Sequence, residues 1–141
     1  MTVEEQIIYL NETVWCRLAP SKIHGLGVFA IRDIPKGTLV WRRYGSLFNV
    51  PRDMFDQIDQ AVRELILTLH LFSETSVFFY SPNDIVMLMA FMNHANPPNT
   101  DENAALRDIA KGEEITENYE INGGFGLSHF SRSHFPFLAC T

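Results

Sequence analysis

The sequence predicts a mostly β domain carrying short helices, and three observations support this. Thr13 to Leu18, Val28 to Ile31 and Thr38 to Trp41 are short β-prone runs separated by Gly and Pro. Asp53 to His70 is the one long segment with a sustained helical repeat of apolar residues. A chain of 141 residues, 46% apolar and 20% charged, has the length and composition of one compact domain rather than of a disordered segment.

Within Asp53 to His70, residues Met54, Phe55, Ile58, Ala61, Val62, Leu65, Ile66 and Leu69 recur at helical spacing between polar positions. This predicts one amphipathic helix packed on a sheet. Thr75 to Tyr80 is the next predicted strand. Ser81-Pro82-Asn83-Asp84 then offers a capping serine, a proline at the first helical position and an acid three residues after the cap. A short apolar helix over Ile85 to Met92 follows, ended by the Asn- and Pro-rich stretch Asn93 to Asn99. Asn103 to Arg107 and Glu114 to Tyr119 complete the strands, with Ala110-Lys111-Gly112 as a tight turn.

Composition excludes several classes of function. Lys+Arg 11 against Asp+Glu 17 gives a net charge of −6, the wrong sign for a protein that binds nucleic acid through its phosphates. The first ten residues carry acids where a signal peptide is basic, and no apolar run is long enough to span a bilayer, so a soluble intracellular protein is expected. Two cysteines, Cys16 and Cys140, make neither a disulfide framework nor a zinc site by themselves. The five histidines include no pair at i, i+4, so no metal centre is expected.

Two segments hold polar or glycine patterns that call for a reason. Gly25-Leu26-Gly27-Val28-Phe29-Ala30 has the form G-x-G-x-x-A, but the Ile31 to Gly37 stretch, with Pro35, cannot continue as the helix a dinucleotide site requires. The glycine pair therefore serves either a tight turn or the close approach of backbone to a ligand. Phe91 to Asn99 sets three asparagines and a histidine directly after an apolar helix. It is either an exposed polar turn or a buried group whose donors and acceptors are all satisfied, and composition leaves both open.

Taken in order, three segments resemble the SET domain of protein-lysine methyltransferases, in its small single-domain form without zinc-binding flanking regions. Ser21 to Ala30, with Ile34-Pro35-Lys36-Gly37, is similar to the family's N-terminal G-x-G strand pair. Phe91-Met92-Asn93-His94 through Pro98-Asn99 is similar to its Asn-His-Ser-Cys-x-Pro-Asn signature, and Gly112-Glu113-Glu114-Ile115-Thr116-Glu117-Asn118-Tyr119 to its Gly-Glu-Glu-Leu-Thr-x-Asp-Tyr segment. Ala95 and Asn96 stand where Ser-Cys is usual, and Asn118 where Asp is usual.

The resemblance implies a β-clip-like fold with a C-terminal pseudoknot, a single domain with its core over about 14–119 and a channel-closing tail over 120–141. It implies S-adenosyl-L-methionine as cofactor, contacted by His24, Gly25, Leu26, Gly27, Asn93, His94 and Tyr119, with Tyr119 as the catalytic residue beside the transferring methyl group. The substrate implied is a lysine of a basic protein or peptide, of which a histone tail is one instance. Phe79, Tyr80 and Phe125 are the candidate channel walls, with Phe130 a further one. Tyr44 beside Gly45 holds a family-like position that core packing explains better. The Phe-rich tail from Gly123 to Phe137 makes a homodimer a reasonable expectation. The alternative is a SET-like binding or scaffold domain without catalysis, against which the retention of Asn93, His94 and Tyr119 weighs.

Overall fold

The structure, a computed structural model, describes residues 1–41, 47–68, 76–80 and 88–119. The chain opens with a helix, α1 (Val3–Thr13), that the strand-centred reading of the sequence did not contain. Its signal is local. Thr2 accepts from the Glu5 backbone N–H and Glu5 accepts from that of Thr2, a reciprocal cap that satisfies two otherwise unpaired donors. Thr13, expected to begin a strand, instead ends this helix, buried with Ile7 and Leu10.

Among the described residues the main sheet has four strands, which across it are β1 (Cys16–Pro20), β2 (Leu26–Ala30), β8 (Glu114–Glu117) and β5 (Asn93–His94). β1 and β2 form an antiparallel hairpin, Cys16 opposite Ala30 and Pro20 opposite Leu26. β8 adds antiparallel to β2, and β5 adds parallel to β8, Asn93 opposite Thr116 and His94 opposite Glu117. A second, two-stranded sheet pairs β3 (Leu47–Pro51) with β4 (Ser76–Tyr80). A minimal hairpin joins β6 (Thr100–Asp101) to β7 (Ala104–Ala105), with Glu102 and Asn103 at positive φ in its turn. The run Thr38 to Trp41 contributes a single bridge, Leu39 to Ala104, rather than a strand.

The helix expected over Asp53 to His70 is two elements. A 3-10 turn over Arg52–Gln57 stops at Ile58, which is extended and almost fully buried, and α2 (Gln60–Thr68) starts afresh. Asp59 is the cause. Its carboxylate accepts from the Ala61 N–H as a cap, and the Asn11 side chain of α1 accepts from the Asp59 N–H and donates to the Gln57 carbonyl. The backbone groups freed by the break are thus paired through a residue 48 positions away. Of the expected helix over Ile85 to Met92, the described part is a 3-10 turn at Leu88–Phe91. Its proposed cap at Ser81-Pro82 lies outside the described residues.

Among the described residues, two apolar clusters result. One gathers α1, β3 and α2 around Leu10, Phe48, Val62 and Ile66, and the other lies under the four-stranded sheet around Val28, Ile34, Met92 and Ile115. Arg32, two residues beyond the end of β2, is tied to the first helix region. Its guanidinium lies 3.8 Å from the Trp15 ring centroid, donates to the Asn11 and Val14 carbonyls and stands 3.7 Å from the Asp59 carboxylate. The Cys16 thiol is buried and donates to the Val40 carbonyl, and burial pushes its ionisation well above the ordinary thiol range. Among the described residues, no helix is long and apolar enough to cross a membrane.

Ile115 is fully buried at the centre of the sheet. Ile115→Ala is expected to lower unfolding stability by about 3 kcal/mol, from lost burial and the cavity left behind. Urea unfolding checks it, and a loss of under about 1 kcal/mol would contradict the central placement of β8.

Candidate active site

The glycine pair answers two different needs. Gly25 closes the β1–β2 turn at φ +49, with open space where a Cβ would stand, and the Ser21 N–H donates to its carbonyl. Here the constraint is backbone conformation. Gly27 lies within β2, where a Cβ would sit 2.1 Å from Glu114 Oε1 and 2.8 Å from Glu114 Cδ. The close approach that the second glycine permits is that of the Glu114 carboxylate, from the same chain.

That carboxylate is held from two sides. Ser21 Oγ donates to it from 2.8 Å, and Asn93 Nδ2 donates to Oε1 from 2.8 Å. Ser21 Oγ in turn accepts from the Ile23 N–H. Glu113, the neighbouring acid, faces elsewhere and forms a forked pair with Arg107 at 2.7 and 3.1 Å, which holds its carboxyl below the usual range. Two adjacent glutamates of one motif therefore do unrelated things: Glu113 closes the surface turn and Glu114 anchors the interior.

Asn93 decides which reading of the polar segment holds. It is 4% exposed, and its Nδ2 also approaches the His24 and Leu26 carbonyls at 3.0 and 3.1 Å, so the side chain clasps the turn that carries the glycine pair. Asn99, 5% exposed, spans to β8 from the other side, donating to the Glu114 carbonyl and accepting from the Thr116 N–H, both at 2.8 Å. Asn96 and Pro97 are exposed, across a cis peptide bond. The segment is thus buried and satisfied at its two ends and a surface turn only at its middle.

His94 is buried beside Asn93, and its Nδ1 accepts from the Tyr119 N–H at 3.2 Å. That bond fixes Nδ1 as the unprotonated nitrogen. The Tyr119 ring lies 5.4 Å from the imidazole, and its hydroxyl donates in a short contact to the Met92 carbonyl. Tyr119 thus docks on the residues flanking Asn93, two positions beyond the end of β8. Burial, with the Glu117 and Glu114 carboxylates nearby, pushes its phenol up to about 12. Burial likewise raises the Glu117 carboxyl.

The structure therefore brings together His24, Gly25, Leu26, Gly27, Asn93, His94 and Tyr119, and adds two residues the sequence reading passed over, Ser21 and Glu114. The second glutamate of the Gly-Glu-Glu run was the only signal for Glu114, and nothing local distinguished it from the first. Phe79 and Tyr80 are on β4, opposite Phe48 and Leu47, in a different sheet from Asn93 and His94. Phe125, Phe130, Tyr44 and Gly45 lie outside the described residues, as does the chain that the pseudoknot requires. A separate cleft of about 290 Å³, lined by Arg32, Asp59, Glu64 and Lys111 among others, contains none of the candidate residues. Among the described residues, no group of three or more His, Cys, Asp and Glu could hold a metal ion.

Two measurements test this geometry. Gly27→Ala is expected to displace the Glu114 carboxylate and cost roughly 3 kcal/mol, since hydrogen bonds to a charged group contribute about 1.5–3 kcal/mol each. Gly25→Ala meets only its positive φ and should cost about 1 kcal/mol. Equal losses in thermal unfolding would rule out the close approach at Gly27. For Tyr119, a spectrophotometric titration should show one phenol ionising near pH 12 that disappears in Tyr119→Phe. The folded state holds this proton above the unfolded value of about 10. Its contribution to stability is therefore complete below pH 10 and is lost as pH rises through 12. A full set of tyrosines titrating near 10 would contradict the buried placement.

Of the comparisons with known proteins, the match to a family model agrees with the reading of the motifs. The family model for the SET domain matches residues 25–120. A search of curated proteins found no match. Among solved structures, a humanized mutant of the Chaetomium thermophilum Polycomb Repressive Complex 2, bound to an inhibitor, is similar at 25% identity and a TM-score of 0.44. The similarity covers 78% of this chain and only 15% of that one. With its glycine turn, asparagine–histidine strand and terminal tyrosine all within the matched region, this chain belongs to the SET-domain family, whose members include protein-lysine methyltransferases.

Proposed function

We propose that the protein transfers a methyl group from S-adenosyl-L-methionine to a lysine side chain of a basic protein, a histone tail being one such substrate. The observation that carries this reading is that Asn93 clasps the turn carrying Gly25 and Gly27 while the adjacent His94 holds Tyr119, which links three sequence-distant motifs in one chain of contacts. The donor set suits the cofactor. Asn93 turns the two hydrogens of its Nδ2 toward three acceptors, and among the described residues no donor meets its Oδ1, so a nearly buried acceptor is available for the ligand's ammonium group.

When bound, S-adenosylmethionine supplies a methyl group on a sulfonium sulfur that leaves as a neutral thioether. The protein's part is to orient a lysine amine in line with that carbon and to exclude water. A lysine with pKa about 10.4 costs roughly 4 kcal/mol to neutralise at pH 7.4, at about 1.4 kcal/mol per pH unit. An apolar channel lowers that cost by disfavouring the ammonium. The candidates for that wall are the ones the family resemblance implies, Phe79, Tyr80 and Phe125, with the 120–141 segment as the candidate for its closure.

Tyr119 enters as a neutral phenol. Ionising near 12, it is protonated at every physiological pH and does not act as the base. With its O–H donated to Met92, the ring is held in place and the oxygen lone pairs can accept from an incoming amine. The net charge of −6 favours a substrate rich in Lys and Arg.

Calorimetry with S-adenosylhomocysteine should give a heat of binding, and transfer of labelled methyl from S-adenosylmethionine to mixed histones and small basic proteins should follow. Tyr119→Phe is expected to keep cofactor affinity within about threefold and to lose at least tenfold in turnover, about 1.4 kcal/mol of barrier. Binding without transfer to any basic protein would favour a non-catalytic domain. Absence of binding would end the cofactor reading.

A further inference from the structure

Glu114 is an odd occupant of its position. Its carboxylate is half-buried against β2, and among the described residues no Lys, Arg or His pairs with it. Ser21 Oγ and Asn93 Nδ2 are the donors that meet its side chain, and Gly27 gives up a side chain to admit it. The carboxylate has acceptors only, so it distinguishes the two ends of the Asn93 amide where the surrounding shape does not.

The consequence falls on Asn93. With Glu114 Oε1 beside the His24 and Leu26 carbonyls, every neighbour on that side of the amide is an acceptor, and an amide turned the other way would set Oδ1 against three of them. We propose that Glu114 is a positioning residue, whose carboxylate holds Asn93 with Nδ2 turned in on the glycine turn and Oδ1 turned out as the acceptor for the cofactor's ammonium group. The outward half of this inference rests on the cofactor reading above; the inward half rests on the hydrogen bonds alone.

The test combines two readouts on the whole chain. The Asn93 side-chain N–H₂ signal, assigned by its loss in Asn93→Ala, is expected to exchange with solvent at least tenfold more slowly in the unsubstituted protein than in Glu114→Gln. In calorimetry with S-adenosylhomocysteine, Glu114→Gln is expected to weaken binding about tenfold and Asn93→Ala at least as much. The double variant should bind no more weakly than Asn93→Ala alone, because Glu114 acts through Asn93. Losses that multiply in the double variant, or a Glu114→Gln protein unchanged in both readouts, would overturn the inference. If Glu114→Gln does not fold, Ser21→Ala loosens the same carboxylate and should speed the Asn93 amide exchange at least threefold, and an unchanged rate there overturns the inference equally. A protein that does not bind S-adenosylhomocysteine but keeps the protected amide overturns the cofactor reading and leaves Glu114 holding Asn93. A protein that binds it with an unprotected amide overturns the role of Glu114 alone.

Discussion

The hydrogen bond between the Glu114 carboxylate and the Asn93 amide is the contact on which the arrangement of the site depends. β8 lies between β2 and β5, so a side chain projecting from its first residue can touch both neighbours at once. Glu114 does this, reaching Ser21 at the mouth of the β1–β2 hairpin and Asn93 at the start of β5. Short strands with few ladder bonds have a weakly specified register. β5 is only two residues long, and its register against β8 is reinforced by side chains, with Asn93 on Glu114 and Asn99 on the backbone of Glu114 and Thr116.

Such a site is expensive to build, and the sheet around it offsets the cost. Asn93, His94, Asn99, Thr100 and Thr116 are all buried polar residues within a few strands of one another. Each left without a partner would cost on the order of 1–3 kcal/mol, comparable to a sizeable part of a small domain's stability. They are tolerable because they satisfy one another: Thr100 Oγ1 donates to the Thr116 carbonyl, Asn99 meets the Thr116 N–H, and His94 meets the Tyr119 N–H. The apolar clusters on either side, around Phe48 and around Ile115, supply the stability against which this polar seam is set.

The same packing tunes Tyr119. Three influences act on its phenol in one direction, namely burial and the two carboxylates of β8, so the hydroxyl is kept as a neutral group whose orientation is set by Met92. A chain with an excess of acids has thus placed two of them where they act on a single phenol, which its net charge alone does not convey.

Some of this was present in local pattern. The strand pair around the glycines, the final strand ending near Tyr119 and the turn at Ala110 to Gly112 follow from β-prone runs and turn residues a few positions apart, and the motif order identified Asn93, His94 and Tyr119 as one constellation. The capping box at Thr2 and Glu5 was equally local, and a helix start there was open to reading. Other features had no local cause. The break at Ile58 and Asp59 needs Asn11 from another helix, the burial of Asn93 needs carbonyls 67 and 69 residues earlier, and the reason for Gly27 is a carboxylate brought in by β8. Hydrophobic period and turn chemistry act over a few residues and so can be read along the chain; the pairing of a buried polar group depends on which distant segment the fold sets beside it, and that exists only once the strands have assembled.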